Sequence, residues 1–374
     1  MTSQPAYGRN PIMTSTANDR VQQLLDRLVA SGQSSGVQVA AYLDGKLVVD
    51  AWAGEADPTT GRMVDGETLF PVFSTSKGLA ATAVHRLVER GVLAYDDPIA
   101  RYWPEFAANG KSGITLRQAL NHTAGMPQMP ELGTMADTCD WNGMCRAIAA
   151  MPPIVEPGSR TIYHAITYGW IIGETASRAD GRSFPQILDE EVSKPLGLTG
   201  AFIGIPDRVE HLVTPIDFVP PATPPVPAVP AVPPDPIAAR AVPQWVLPLE
   251  AWLNRPDVRR ACIPASNGIM NARSVAKHYA ALAGGTVDGV RLLSEATISE
   301  ALRATGPDPR RGLGYGLSGP DADPGAVFGH GGYGGSNGFA DRRSRLAFAL
   351  ARRRMSDPGS ADPVVAEIRA ALGL

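Results

Sequence analysis

The stretch Phe73-Ser74-Thr75-Ser76-Lys77-Gly78 and the residues that follow it as far as Glu89 decide how the chain is read. Leu79, Ala80, Ala83, Val84, Leu87 and Val88 recur with the spacing of one helical face, so residues 75–89 are expected to form a helix closed by Gly91. Ser74 and Lys77 then lie three residues apart on one face of its first turn, an amine beside a hydroxyl. A serine hydroxyl is a poor nucleophile at neutral pH without a base to take its proton, and a desolvated lysine can serve as that base. The helix N-terminus adds a positive dipole and free amides able to stabilise an oxyanion.

A Ser-x-x-Lys match alone is a weak signal, and its surroundings strengthen it. The apolar run Leu69-Phe70-Pro71-Val72-Phe73 leads into it, and Lys77 is one of only five lysines beside 29 arginines. Three further stretches stand out: Leu120-Asn121-His122-Thr123-Ala124-Gly125-Met126-Pro127, Pro157-Gly158-Ser159-Arg160-Thr161-Ile162-Tyr163-His164-Ala165, and His330-Gly331-Gly332-Tyr333-Gly334-Gly335-Ser336-Asn337-Gly338. Together the four resemble the serine beta-lactamase-like superfamily: class C beta-lactamases, penicillin-binding DD-peptidases and family VIII carboxylesterases. The last of these is the most similar, and the resemblance runs over residues 19–372.

The resemblance implies that Ser74 is acylated with Lys77 as its partner, and that Tyr163, from a Tyr-x-Asn motif, shares the proton transfer. Here Ala165 replaces the Asn. A phenol with a pKa of about 10 is a weak base at neutral pH, so Tyr163 is expected to need nearby cations such as Lys77 to favour its phenolate. Tyr168 fits packing better. Where a beta-lactamase carries Lys-Thr-Gly, this chain has His330-Gly331-Gly332, and imidazole is a weaker carboxylate anchor than ammonium. Both departures point away from beta-lactams and toward neutral esters. The backbone N–H groups of Ser74 and Tyr333 are the implied oxyanion hole. Within 264–270, Ser266 and Asn267 are candidate substrate contacts, as are His330, Gly331 and Gly332. Asn121 and His122 are expected to hold a turn beside the pocket.

A second serine motif competes. Gly334-Gly335-Ser336-Asn337-Gly338 satisfies Gly-x-Ser-x-Gly, the nucleophile elbow of another hydrolase class, in which the histidine follows the serine. No histidine follows Ser336, and the next residues read as strand. Ser336 is therefore placed in a glycine-rich turn. No spacing of histidines suggests a metal, and no cofactor is expected.

The rest of the chain sets the frame. With 374 residues, 44% of them hydrophobic, there is enough chain for one large domain or two coupled ones. Residues 19–30 read as an amphipathic helix with Asn18 as its N-cap; Asp44-Gly45 between two apolar runs reads as a tight hairpin. Helices are expected at 115–121, 140–150, 167–178, 184–193 and 363–372, and strands at 314–317, 338–341 and 345–351. The expected fold is α/β, an antiparallel sheet flanked by helices with a helical insertion: residues 1–78 and 270–374 form an α/β domain from both termini, and 79–269 a mainly helical one. The latter includes the segment 220–248, whose eleven prolines favour polyproline II and suggest a surface flap near a site mouth.

A net charge of −3 without a basic stripe argues against nucleic acid as partner. No run of apolar residues is long enough for a membrane span, and the polar N-terminus lacks an apolar signal core. A cytoplasmic serine esterase acting on small short-chain esters is the expectation. Beta-lactamase, D-amino-acid peptidase or acyltransferase activity is the enzymatic alternative, and a silent relative that docks partners through its proline-rich segment the non-enzymatic one.

Overall fold

The computed structural model describes residues 16–131, 133–217, 236–356 and 358–374. Among them ten strands form two sheets: β1 (Gly36–Leu43), β2 (Lys46–Asp57), β3 (Arg62–Met63), β4 (Phe70–Pro71), β5 (Ala201–Ile203), β6 (Gly268–Met270), β7 (Gly316–Leu317), β8 (Val327–Gly331), β9 (Asn337–Asp341) and β10 (Leu346–Arg352). The larger sheet is antiparallel with seven strands in the order β3-β2-β1-β10-β9-β8-β7. Its middle joins the two ends of the chain, with Val39 of β1 opposite Leu350 of β10.

Local sequence explains the hairpin. Leu43 pairs with Lys46 across Asp44-Gly45, whose φ angles are 50° and 74°. A two-residue turn that matches the twist of its strands needs positive φ at both central positions, which Asp tolerates and Gly adopts freely.

Side-chain alternation then divides the core. Val37, Val39 and Ala41 with Leu346, Phe348 and Leu350 face one side, where Val21 and Leu25 of helix α1 (Thr16–Ala30) and Val364 and Ile368 of the helix Asp362–Leu372 cover them. Ala40, Tyr42, Ala347, Ala349 and Ala351 face the other side, toward the helix Ala272–Ala280 and helix α2 (Ser76–Glu89). Full burial of each such valine or leucine stabilises by roughly 1.5–3 kcal/mol. Because both faces are covered, β1 reads as a nearly continuous apolar run.

Two expectations are corrected. Asn18 lies inside α1, and its Oδ1 accepts the Asp50 amide at 2.9 Å instead of capping the helix. Helix α2 begins at Ser76, because a tighter turn over Phe73–Thr75 precedes it. Within the mainly helical segment 79–269, the short strands β5 and β6 pair with β4 in a small three-stranded sheet. Helices α3 (Leu116–Leu120), α4 (Trp141–Ala150) and α5 (Thr167–Asp180) fall where expected, and so does 184–193, α-helical to Leu188 and π-helical over Asp189–Ser193. Most of the proline-rich segment lies outside the described residues; its last part makes two short turns, Ala238–Ala241 and Gln244–Val246, that bury Val246.

Helix α2 buries more than one face. Gly78, Ala80, Ala81 and Ala83 are small enough for neighbours to close in all round, and a Cβ on Gly78 would collide with the Tyr279 hydroxyl. Lys77 is carried into this dense interior.

Candidate active site

The small sheet aims the Ser74 turn. Val72 donates to Gly268 O at 2.9 Å, Gly268 N–H donates to Ser76 Oγ at 2.8 Å, and Ser76 Oγ in turn donates to Phe73 O. Phe73 is held at φ 49°, a left-handed conformation that an aromatic residue adopts only under strain. Ser74 follows directly, so its orientation is set by backbone bonds on both sides.

Lys77 is fully buried, and its Nζ has three neighbours: Ala165 O and Ala265 O at 2.8 Å each, and Ser74 Oγ at 3.1 Å. Burial, and then the charge of Arg311, hold its pKa well below the ordinary lysine value. A neutral amine has two N–H donors and one lone pair. As an ammonium Lys77 donates to all three neighbours; as a neutral amine it would give both protons to the carbonyls and turn its lone pair to the Ser74 hydroxyl.

Lys111 offers a contrast within the same chain. Its buried amine is surrounded by three carbonyls, Ala108 O at 2.7 Å, Ala149 O at 2.9 Å and Met151 O. Three acceptors suit the three donors of an ammonium and leave no lone pair.

The Tyr163 ring centroid lies 4.8 Å from Lys77 Nζ. Burial pushes the Tyr163 pKa up to about 12, although the Ser74 hydroxyl and Arg311 oppose the rise. The Arg311 charge does not offset burial, so the hydroxyl keeps its proton at neutral pH and can serve as a donor. On its other side stands His330 Nε2 at 3.5 Å. His330 Nδ1 lies 2.7 Å from Gly331 O, which can only accept, so the proton sits on Nδ1 and Nε2 is an acceptor. Burial brings the His330 pKa down to about 3, so the ring is neutral at pH 7.

His122 holds Tyr163 in place: its carbonyl accepts from Ile162 at 3.0 Å, and its Nδ1 accepts from His164 at 3.2 Å, one residue to either side. The turn role expected of His122 therefore extends to the Tyr163 backbone. Tyr168 is buried against the His122 ring at 5.0 Å, as packing required.

Among the described residues, neither the Ser74 nor the Tyr333 amide donates to an acceptor of the chain. Two unspent N–H groups suit an oxyanion. Gly332 brings the second one close, since a Cβ there would strike Val72 O and Ser336 Oγ. Tyr333 itself is 56% exposed and stands edge-on to Phe73, 5.6 Å between centroids.

Ser336 is the staple of this turn. Its Oγ donates to Val72 O at 2.7 Å and lies 3.2 Å from Thr75 Oγ1, and strand β9 follows where an elbow would need a helix. Ser336→Ala is expected to lower stability by about 1 kcal/mol for the lost hydrogen bond and to retain most of the ester hydrolysis; loss of acylation by this variant would reinstate the elbow.

The other candidates divide. Ser266 follows Ala265, and its Oγ stands 3.5 Å from Ala165 O, beside the two carbonyls that hold Lys77. Asn267 is fully buried, with Oδ1 accepting from Ile263 at 3.0 Å and Nδ2 donating to Val258 O and Ala261 O. Its amide has nothing left for a substrate, which corrects its reading as a contact. Arg311, 5.2 Å from the Tyr163 ring centroid, is a site residue that sequence reasoning missed, one arginine among 29. Among the described residues no three His, Cys, Asp or Glu are placed to share a metal ion, and no helix is long and apolar enough to cross a membrane.

A strained turn that presents a serine to a buried lysine of lowered pKa at a sheet edge is an arrangement suited to a serine hydrolase. The beta-lactamase family model matches residues 21–372, and the chain belongs to that family. It is 33% identical over 352 residues to the esterase/beta-lactamase LipL of Mycobacterium tuberculosis, covering 86% of this chain and 78% of LipL. Among solved structures, a family VIII carboxylesterase superposes with a TM-score of 0.83 at 33% identity, over 96% of this chain and 97% of that one. A penicillin-binding protein homologue from Caulobacter crescentus gives 0.82 at 33% identity, over 96% and 98%.

Proposed function

We propose that the protein hydrolyses short-chain carboxylic esters through an acyl-enzyme on Ser74. The carrying observation is the placement of Lys77 Nζ against Ser74 Oγ and two carbonyls: in the neutral amine the carbonyls take both protons and a lone pair is left for the Ser74 proton. In the first step that proton passes to Lys77 Nζ as Ser74 Oγ bonds to the ester carbon. The carbonyl oxygen becomes an oxyanion held by the Ser74 and Tyr333 amides. As the tetrahedral species collapses, the Lys77 ammonium returns its proton by way of the Tyr163 hydroxyl to the departing alkoxide, and alcohol leaves. Water then attacks the acyl carbon with Lys77 again as base, and Ser74 is regenerated. No cofactor enters the scheme, and esters are the small-molecule partners it requires.

The competing reading is hydrolysis of beta-lactams or D-amino-acid peptides. LipL carries both esterase and beta-lactamase in its name, and this favours keeping that activity as a side reaction. Ala165 and His330 stand where an amide-binding Asn and an ammonium would serve such substrates. Steady-state rates on p-nitrophenyl butyrate and on nitrocefin decide between them: kcat/KM should favour the ester by at least about 100-fold, about 2.7 kcal/mol in transition-state terms. Faster turnover of nitrocefin would reverse the assignment.

A further inference from the structure

Arg311 differs from its neighbours in what it does with its charge. Arg310 beside it reaches Gly319 O and Asp321, and Arg303 is bonded twice to Glu300. Among the described residues the Arg311 side chain makes no hydrogen bond, and its one ion pair is a loose contact of 3.6 Å from Nε to Asp308. The side chain keeps 29% of its surface open to solvent. Its guanidinium carbon lies 5.2 Å from the Tyr163 ring centroid, and that centroid lies 4.8 Å from Lys77 Nζ, the amine that contacts Ser74.

Asp308 aside, the charges acting on the site have one sign. The charged or titrating groups acting on Lys77, His122, Tyr163 and His330 are Arg311, Lys77 and neighbouring histidines, and no carboxylate is among them. A guanidinium presents a planar fork of donors that fits a carboxylate with two parallel hydrogen bonds. A cleft lined by one sign of charge also concentrates ligands of the other sign.

We propose that Arg311 anchors a negative substituent of the substrate, so that the preferred esters are anionic, such as half-esters of short dicarboxylic acids. The fork stands one tyrosine ring from the Ser74 hydroxyl, a separation that a few methylenes between carboxylate and ester carbonyl span. This inference rests on the esterase reading above for its substrate class, and it replaces the neutral-ester expectation drawn from His330.

Two measurements test it separately. The first is the ratio of kcat/KM for mono-p-nitrophenyl glutarate to that for p-nitrophenyl butyrate, in the wild type, Arg311→Gln and Arg311→Lys, with thermal melts to confirm folding. The ratio should fall roughly 10-fold or more in Arg311→Gln, the loss expected for a charge-assisted hydrogen bond, and recover partly in Arg311→Lys. The second is binding of 3-carboxyphenylboronic acid against phenylboronic acid, which needs a nucleophilic serine but no turnover. Preference for the carboxylated boronate should be lost in Arg311→Gln. If both ratios are unchanged by Arg311→Gln, the inference is wrong while the esterase reading stands. If the wild type turns over neither ester but the boronate preference depends on Arg311, the anchor stands and the esterase reading falls.

Discussion

Ser74→Ala is expected to leave a folded protein whose turnover of p-nitrophenyl butyrate is lower by roughly four orders of magnitude or more, the scale on which loss of a catalytic serine is felt. The substitution removes one oxygen, which Lys77 Nζ approaches at 3.1 Å. Lys77 is not orphaned by it, since it keeps Ala165 O and Ala265 O, and Tyr163 keeps His330. The melting temperature should accordingly move little while acylation disappears. Any residual rate would come from binding and from the free amides of the oxyanion hole, which the variant retains.

Lys77→Met should have the second largest effect, lowering kcat/KM by roughly 10²–10⁴-fold, the usual range for removal of a general base. The pH profile distinguishes this role from a structural one. Burial holds the Lys77 pKa well below the ordinary lysine value, so the competent neutral amine accumulates as pH rises through that lowered pKa. The wild-type kcat/KM should climb along this limb and level off well before pH 10.5. It should not fall again through loss of the Tyr163 proton until pH nears about 12. Lys77→Met should flatten the limb, and Lys77→Arg should not restore it, because a guanidinium remains protonated throughout. An unchanged limb in Lys77→Met would assign the base to another group.

The parts of this arrangement that the sequence reveals are those written in short-range patterns. The Asp44-Gly45 hairpin, α2 with its Ser-x-x-Lys start, and Tyr163 are each visible because a turn rule, a period or a motif spans adjacent residues. The small sheet is hidden because β4, β5 and β6 are two or three residues long and their pairing joins Phe70 to Met270 and Ala201 to Met270. No local pattern reports such contacts. The same holds for the carbonyls of Ala165 and Ala265, since any residue type supplies a carbonyl and only the fold brings these two to Lys77. Asn267 misleads for the opposite reason: its neighbourhood lines the site, yet its own amide is consumed in bracing 258–263. The ionisation of Tyr163 also depends on burial, which a motif does not state.

The most direct test of the account is the chemical identity of the trapped acyl-enzyme. Protein quenched in acid during turnover of p-nitrophenyl butyrate should carry one butyryl group, and peptide mass spectrometry should place it on Ser74, with no adduct in Ser74→Ala. A butyryl group mapped to Ser336, or turnover that persists in Ser74→Ala, would contradict the claim that Ser74 and Lys77 form the reacting pair.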